Sequence, residues 1–378
     1  MPSTRTAAGN LIVRQRGFTL LILLLALLVG GASLFLAARD PASARAARDE
    51  RNRAQALHSA AAALIAYNLG DPDVPGALSC PDFDSDGTAD SNCQSGSDPV
   101  YVARLPWRTL DMDREYGRLW YALDRDFRDD PSAVKPLNAT VPGSLAVGGK
   151  GGFAAVLISP GEALPGQARP STSPSDYLEG GNADGDLDFV DCTHVADCND
   201  RVRGIRVDRL FTRVQRRVLG EVEVVLRDFF ADRPGAPAGG YLPYAADFGT
   251  TVCEQGRERG QLPLGPGDCG AGEVLDSMDF PQWVRDNDWL DLVVYHVDPA
   301  CVEDQKNCGS GTLVLGSDAG LDAVAAAAGR AHTGQDRSAG ADVADYLDAP
   351  INTDADGQYK EQTPSGADND VFRGMVMP

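Results

Sequence analysis

Residues 18–38 (FTLLILLLALLVGGASLFLAA) form a run of 21 without a charge, and no other feature constrains the chain as much. About twenty apolar residues suffice to cross a bilayer as a helix, whereas the apolar part of a cleavable secretory signal spans about 7 to 15. The run therefore reads as a membrane-spanning helix, with cleavage by signal peptidase near Gly30 to Ser33 as the alternative. The leader carries Arg5, Arg14 and Arg16 and no acidic residue. By the positive-inside rule it stays cytoplasmic and sends the remainder across, which predicts a single-pass inner-membrane protein with a periplasmic head. Residues 42–69 are rich in Ala, Arg, Gln and Leu, with Ala54, Leu57, Ala61, Leu64 and Ile65 at helical spacing. A helix over 18–69, kinked at Pro41, would be about 78 Å long.

The junction before the apolar run is more specific. Arg14-Gln15-Arg16-Gly17-Phe18-Thr19-Leu20 resembles the processing site of type IV prepilins and of the pseudopilins of type II secretion, in which a short basic leader ends in Gly. The resemblance implies cleavage by prepilin peptidase between Gly17 and Phe18, methylation of the Phe18 amine and retention of the helix. It covers about the first 50 residues and departs from the family at one place: the usual Glu at the fifth mature position is Ile22 here. In the family that carboxylate is paired with the terminal amine of a neighbouring subunit, because a buried charge is costly alone. Its loss resembles the K-type minor pseudopilin and implies a tip or initiating subunit. The implied partners are other pilins or pseudopilins, prepilin peptidase and the inner membrane.

Landmarks then recur along the remainder. A helical stretch 52–69 leads to Cys80 and Cys93, the strand-like 118–123, the apolar 152–161, and Asp176-Tyr177-Leu178-Glu179 followed by Asn182 to Asp186. A helical stretch 214–230 leads to Cys253 and Cys269, the strand-like 292–297, the apolar 311–316, and Asp345-Tyr346-Leu347-Asp348 followed by Asn352 to Gly357. The expected fold is α+β: a leader (1–17), a long N-terminal transmembrane helix (18–69, membrane part 18–38), a pilin-like head of a helix on an antiparallel sheet (70–205), and a second, related α+β module (206–378). Disulfide-stapled acidic loops are expected in both.

Eight cysteines fall into local pairs, Cys80 with Cys93, Cys192 with Cys198, Cys253 with Cys269 and Cys301 with Cys308. Eight allow 105 pairings, and four short disulfide loops are the reading for an oxidising compartment. None has the Cys-x-x-Cys spacing of a zinc ribbon or thioredoxin-like site. Asp82, Asp84, Asp86 and Asp90 alternate around Gly87. Calcium takes six to eight oxygen ligands, and such alternation can converge several on one ion. The twelfth position is Cys93 rather than Glu, so a complete EF-hand is excluded. Asn352, Asp354 and Asp356 repeat the spacing, and Asn182, Asp184, Asp186 and Asp188 form a looser variant. The K-type resemblance also implies calcium.

With 34 Lys+Arg against 55 Asp+Glu and a net charge of -21, the chain lacks the basic surplus that nucleic-acid binding needs. His58, His194, His296 and His332 are scattered, and Gly148-Gly149-Lys150-Gly151-Gly152 lacks the Ser/Thr of a phosphate loop. The expected role is non-enzymatic: a minor pilin or pseudopilin that inserts by its N-terminal helix into a type IV pilus or type II secretion pseudopilus. The alternatives are a pilus-associated adhesin or ligand-binding protein using the second module, at the fibre tip or cell surface, and an anchored periplasmic enzyme.

Overall fold

A computed structural model describes residues 20–29, 41–91, 93–94, 96–130, 135–192, 197–233, 240–338, 341–354, 356–362 and 368–378. The chain divides into two compact units, 1–55 and 56–378.

In the first unit the apolar run is described as helix over 20–29, with its large apolar side chains exposed. Among the described residues no helix is long and apolar enough to cross a membrane. This overturns the expected transmembrane helix, and with it the single-pass inner-membrane placement and periplasmic head. Helix α1 (Pro41–Leu69) begins in this unit and ends in the next.

In residues 56–378 one strand plan occurs twice. The first sheet comprises β1 (Val100–Arg104), β2 (Trp120–Asp124), β3 (Leu145–Val147), β4 (Lys150–Ser159), β5 (Asp188–Phe189) and β6 (Arg201–Arg206), in the order β1-β2-β4-β3-β5 with β6 also on β4. Helix α2 (Val207–Ala231) follows. After it come β7 (Arg259–Gln261), the short helix α3 (Gln282–Asp286) and β8 (Val293–Val297). The chain continues through β9 (Leu313–Leu315), β10 (Asp318–Leu321), β11 (Ala323–Ala327), the short helix α4 (Pro350–Thr353), β12 (Gln358–Tyr359) and β13 (Val371–Met375). These strands form the sheets β13-β11-β8-β7 and β10-β9-β12. Thus β2 and β8 are central antiparallel strands, and β4 pairs with β6 as β11 does with β13. Each long acidic loop returns as a short parallel strand, β5 on β3 and β12 on β9.

One landmark match shifts. The apolar 311–316 holds β9, whose counterpart is β3, and the counterpart of the second half of β4 is β11. The alanine-rich sequence of β11 has little strand propensity, so its pattern alone did not mark it.

Strand alternation explains the layering, because successive side chains point to opposite faces. Tyr121 and Leu123 of β2, like Val293, Tyr295 and Val297 of β8, face the main core; Trp120 and Ala122, like Val294, face smaller cores under the acidic loops. In α2, Leu210, Phe211, Val214, Val218, Leu219, Val222, Val225, Leu226, Phe229 and Phe230 are buried, an i, i+3, i+4 set. The helix contacts β4 and β6 of the first sheet and β11 and β13 of the second. Leu57, Ala60, Ala61, Leu64 and Ile65 of α1 join the same core.

The hydrogen bonds repeat as well. Asp124 Oδ2 accepts from the Ser144 N–H at 2.6 Å, and Asp298 Oδ2 from the Thr312 N–H at 2.6 Å. Arg169 donates to the carbonyls of Gly161, Asp176 and Tyr177; Arg337 donates to those of Gly329, Asp345 and Tyr346.

Candidate calcium-binding loop

The disulfide Cys80–Cys93 closes a loop against the edge strand β1. Both cysteines are buried, and Asp82 exchanges main-chain bonds with Arg104, Asp82 N–H to Arg104 O at 2.9 Å and Arg104 N–H to Asp82 O at 3.0 Å. Inside the loop each acidic side chain caps a turn. Asp82 Oδ2 accepts from the Gly87 N–H (2.8 Å), Asp84 Oδ1 from Asp86 (3.1 Å), and Asp86 Oδ1 from the Thr88 N–H (2.7 Å) and hydroxyl (2.6 Å). Asp90 Oδ2 accepts from the Phe83 N–H at 2.6 Å, across the loop. Gly87 has φ +94, and a Cβ there would meet the Trp107 indole.

These turns bring carboxylate oxygens of Asp82, Asp84 and Asp86 within 4.8 Å of one another. Asp82 is 1% exposed, and its Oδ1 is buried with no hydrogen-bond partner. Burial pushes its carboxyl above the usual range, opposed by the Gly87 and Ser85 N–H groups, while the Thr88 hydroxyl and N–H hold Asp86 below it. An orphaned buried carboxylate oxygen beside two exposed carboxylates is what a bound hard cation would satisfy, so the donor set fits calcium. Asp90 is spent on its main-chain partner through one oxygen and stands outside that triplet.

The other acidic turns are built differently. Asn182 is buried, accepts from the Val190 N–H (2.8 Å) and donates to Val190 O (3.0 Å) and Asp200 Oδ2 (3.1 Å). Its amide is committed to closing a loop. Asp184, Asp186 and Asp188 are exposed, and each caps a following or neighbouring N–H, that of Asp186, Asp188 and Gly149 respectively. Asn352 makes the same clasp on Lys360, and Asp356 accepts from the Gln358 N–H. Asp354 is exposed, and its carbonyl accepts from Arg259. Among the described residues neither turn forms a cluster like that of Asp82, Asp84 and Asp86. The counterpart of Asp82 on the second sheet is Ala246, which makes the equivalent main-chain exchange with Gln261.

All four expected disulfides are present, Cys80–Cys93, Cys192–Cys198, Cys253–Cys269 and Cys301–Cys308. Gly17 and Phe18 lie outside the described residues; Ile22 is in the helix 20–29, 51% exposed. Gly148 and Gly149 make the hairpin turn between β3 and β4. The buried contact between Glu179 and Asp200 escaped the sequence reading, although Glu179 ends the repeated Asp-Tyr-Leu-acid landmark. Its only signal was that recurrence.

No protein-family model, curated protein or solved structure matches the chain.

Proposed function

We propose that the chain is a subunit of a type IV pilus-like or type II secretion pseudopilus-like fibre, acting at its tip or start, with one calcium ion ordering the loop 80–93. The observation that carries the reading is a prepilin-like junction, Arg14 to Leu20, on the same chain as a helix-on-antiparallel-sheet head built twice. Residues before 56 supply the contact with neighbouring subunits and 56–378 the head. Ile22 in place of Glu removes the carboxylate that a bulk subunit would offer to a neighbour, which favours an end position. Asp82, Asp84 and Asp86 hold the ion, which supplies charge neutralisation and fixes the loop.

Mass spectrometry of the mature chain tests the assembly reading: a start at methylated Phe18 supports it, and a start near Ser33 or an intact Met1 overturns it. Titration with calcium tests the loop separately, with one site per chain expected and none after Asp82→Asn.

A further inference from the structure

Glu179, midway along the segment 160–200 between β4 and β6, faces Asp200 at the end of that segment. Asp200 holds the Glu179 main chain and Glu179 that of the preceding Asn199: the Glu179 N–H donates to Asp200 Oδ2 at 2.9 Å, and the Asn199 N–H donates to Glu179 Oε2 at 3.0 Å. Gln167 fills Glu179 Oε1 at 2.8 Å, and Asn182 adds a second donor to Asp200 Oδ2 at 3.1 Å. Three of the four oxygens are thus satisfied. The fourth, Asp200 Oδ1, belongs to a residue with no exposed surface and meets no hydrogen-bond donor.

A carboxylate oxygen of Asp200 lies within 4.8 Å of one from Glu179 and of the Cys198 sulfur. That sulfur is bonded to Cys192 and offers no thiolate. The surrounding charges do not neutralise the pair. Arg169 spends its guanidinium on three carbonyls and Gln167 Oε1, Arg201 pairs with Asp191, and Asp176 caps the Ala168 N–H. Two unprotonated carboxylates would stand together in a buried place with one acceptor empty, at high cost. In the counterpart on the second sheet, Asp370 Oδ1 accepts from the Gly329 N–H at 3.0 Å and Oδ2 from the Asp348 N–H at 2.7 Å, and burial with the Asp348 charge raises the Asp370 carboxyl as well, to about 7. There both oxygens are filled by main-chain donors.

We propose that Glu179 and Asp200 form a proton-operated latch, in which one proton on Asp200 Oδ1, donated to Glu179, ties the start of β6 to residues 177–182 and whose loss loosens that tie. Burial, reinforced by the Glu179 charge, raises Asp200 to about 6. Because the folded value lies above the ordinary one, the stabilisation is complete in acid and is lost as pH rises through about 6. Strand β6 runs directly into α2, so the latch adjoins the segment that joins the two sheets.

Hydrogen exchange of the full chain, read on peptides covering 177–182 and 199–206 and corrected for the chemical rate, tests this. Protection is expected to fall about tenfold or more from pH 5 to pH 7.5. In Asp200→Asn the amide carbonyl keeps the bonds of Oδ2 and its NH2 donates to Glu179 as the proton did, so protection should be equal at both pH values. Wild-type protection that ignores pH, or a variant that keeps the full pH dependence, overturns the proposal. Should the variant not fold, the carbon-13 carboxyl shift of wild-type Asp200 decides: a midpoint near 6 supports the latch, and one below about 4.5 overturns it.

Discussion

The indole nitrogen of Trp107 occupies the place a β-carbon on Gly87 would need, 2.5 Å away. Gly117 approaches the same ring, where a Cβ would lie 2.9 Å from it. The loop 80–93 is therefore seated on the sheet through Trp107, and its Gly is required by both its φ and the lack of space. Gly87→Ala is expected to destabilise the chain by about 2 kcal/mol or more and to weaken calcium binding by the loop. Unchanged melting and unchanged calcium binding would reject this seating.

Asp82 carries a cost that calcium would relieve. Its buried carboxyl has one oxygen without a partner, so Asp82→Asn should leave the calcium-free chain as stable as wild type or more so. Calcium at 100 times its Kd should stabilise the wild type by about 2.7 kcal/mol and the variant not at all. Thermal melts with calcium and with chelator give both numbers.

Phe211 of α2 lies between Phe127 of the first half, 5.9 Å away, and Trp289 of the second, 5.7 Å away. All three rings are fully buried. Phe211→Ala should cost about 3 to 5 kcal/mol and lower the melting of both halves together, in one transition for residues 56–378. Two separate transitions in a calorimeter would show instead that the halves fold independently.

His296 lies on the outer face of β8 and shares a 2.7 Å hydrogen bond with the Tyr359 hydroxyl. Burial, then the Arg259 charge, push its imidazole down to about 4. With a folded value below the unfolded one of about 6.5, its stabilisation is complete above 6.5 and is lost as pH falls through about 4, on the order of 3 kcal/mol. His296→Gln, neutral throughout, should flatten the stability profile across that window. Urea unfolding at a series of pH values measures the slope, and parallel profiles would refute the assignment.

The parts of this fold that could be read from the chain are those written in local chemistry. Each cysteine pair is close in sequence, separated by 13, 6, 16 and 7 residues, so pairing nearest neighbours closes small loops without any tertiary information. Alternating Asp around Gly87 marks a turn, because the caps made by Asp84 and Asp86 act over two residues. The same reasoning fails for Asn182 and Asn352. Their amides clasp residues eight positions away, and that commitment becomes visible only when the loop is closed.

Apolar length by itself suggested a membrane-crossing helix, but among the described residues no helix is long and apolar enough to cross a membrane. Nothing in local composition marks β11 as a central strand either; its alanines are placed by pairing with β8 and β13 and by the approach of α2. Sequence alone determined the short-range features, namely the covalent loops, the acidic turns and the order of the repeated landmarks. Tertiary structure decided which of those turns keeps a free buried carboxylate oxygen, how two sheets share one helix, and that Glu179 and Asp200 meet. Such outcomes depend on which donors reach a buried group across the fold, and burial is a property of the packed chain rather than of any segment.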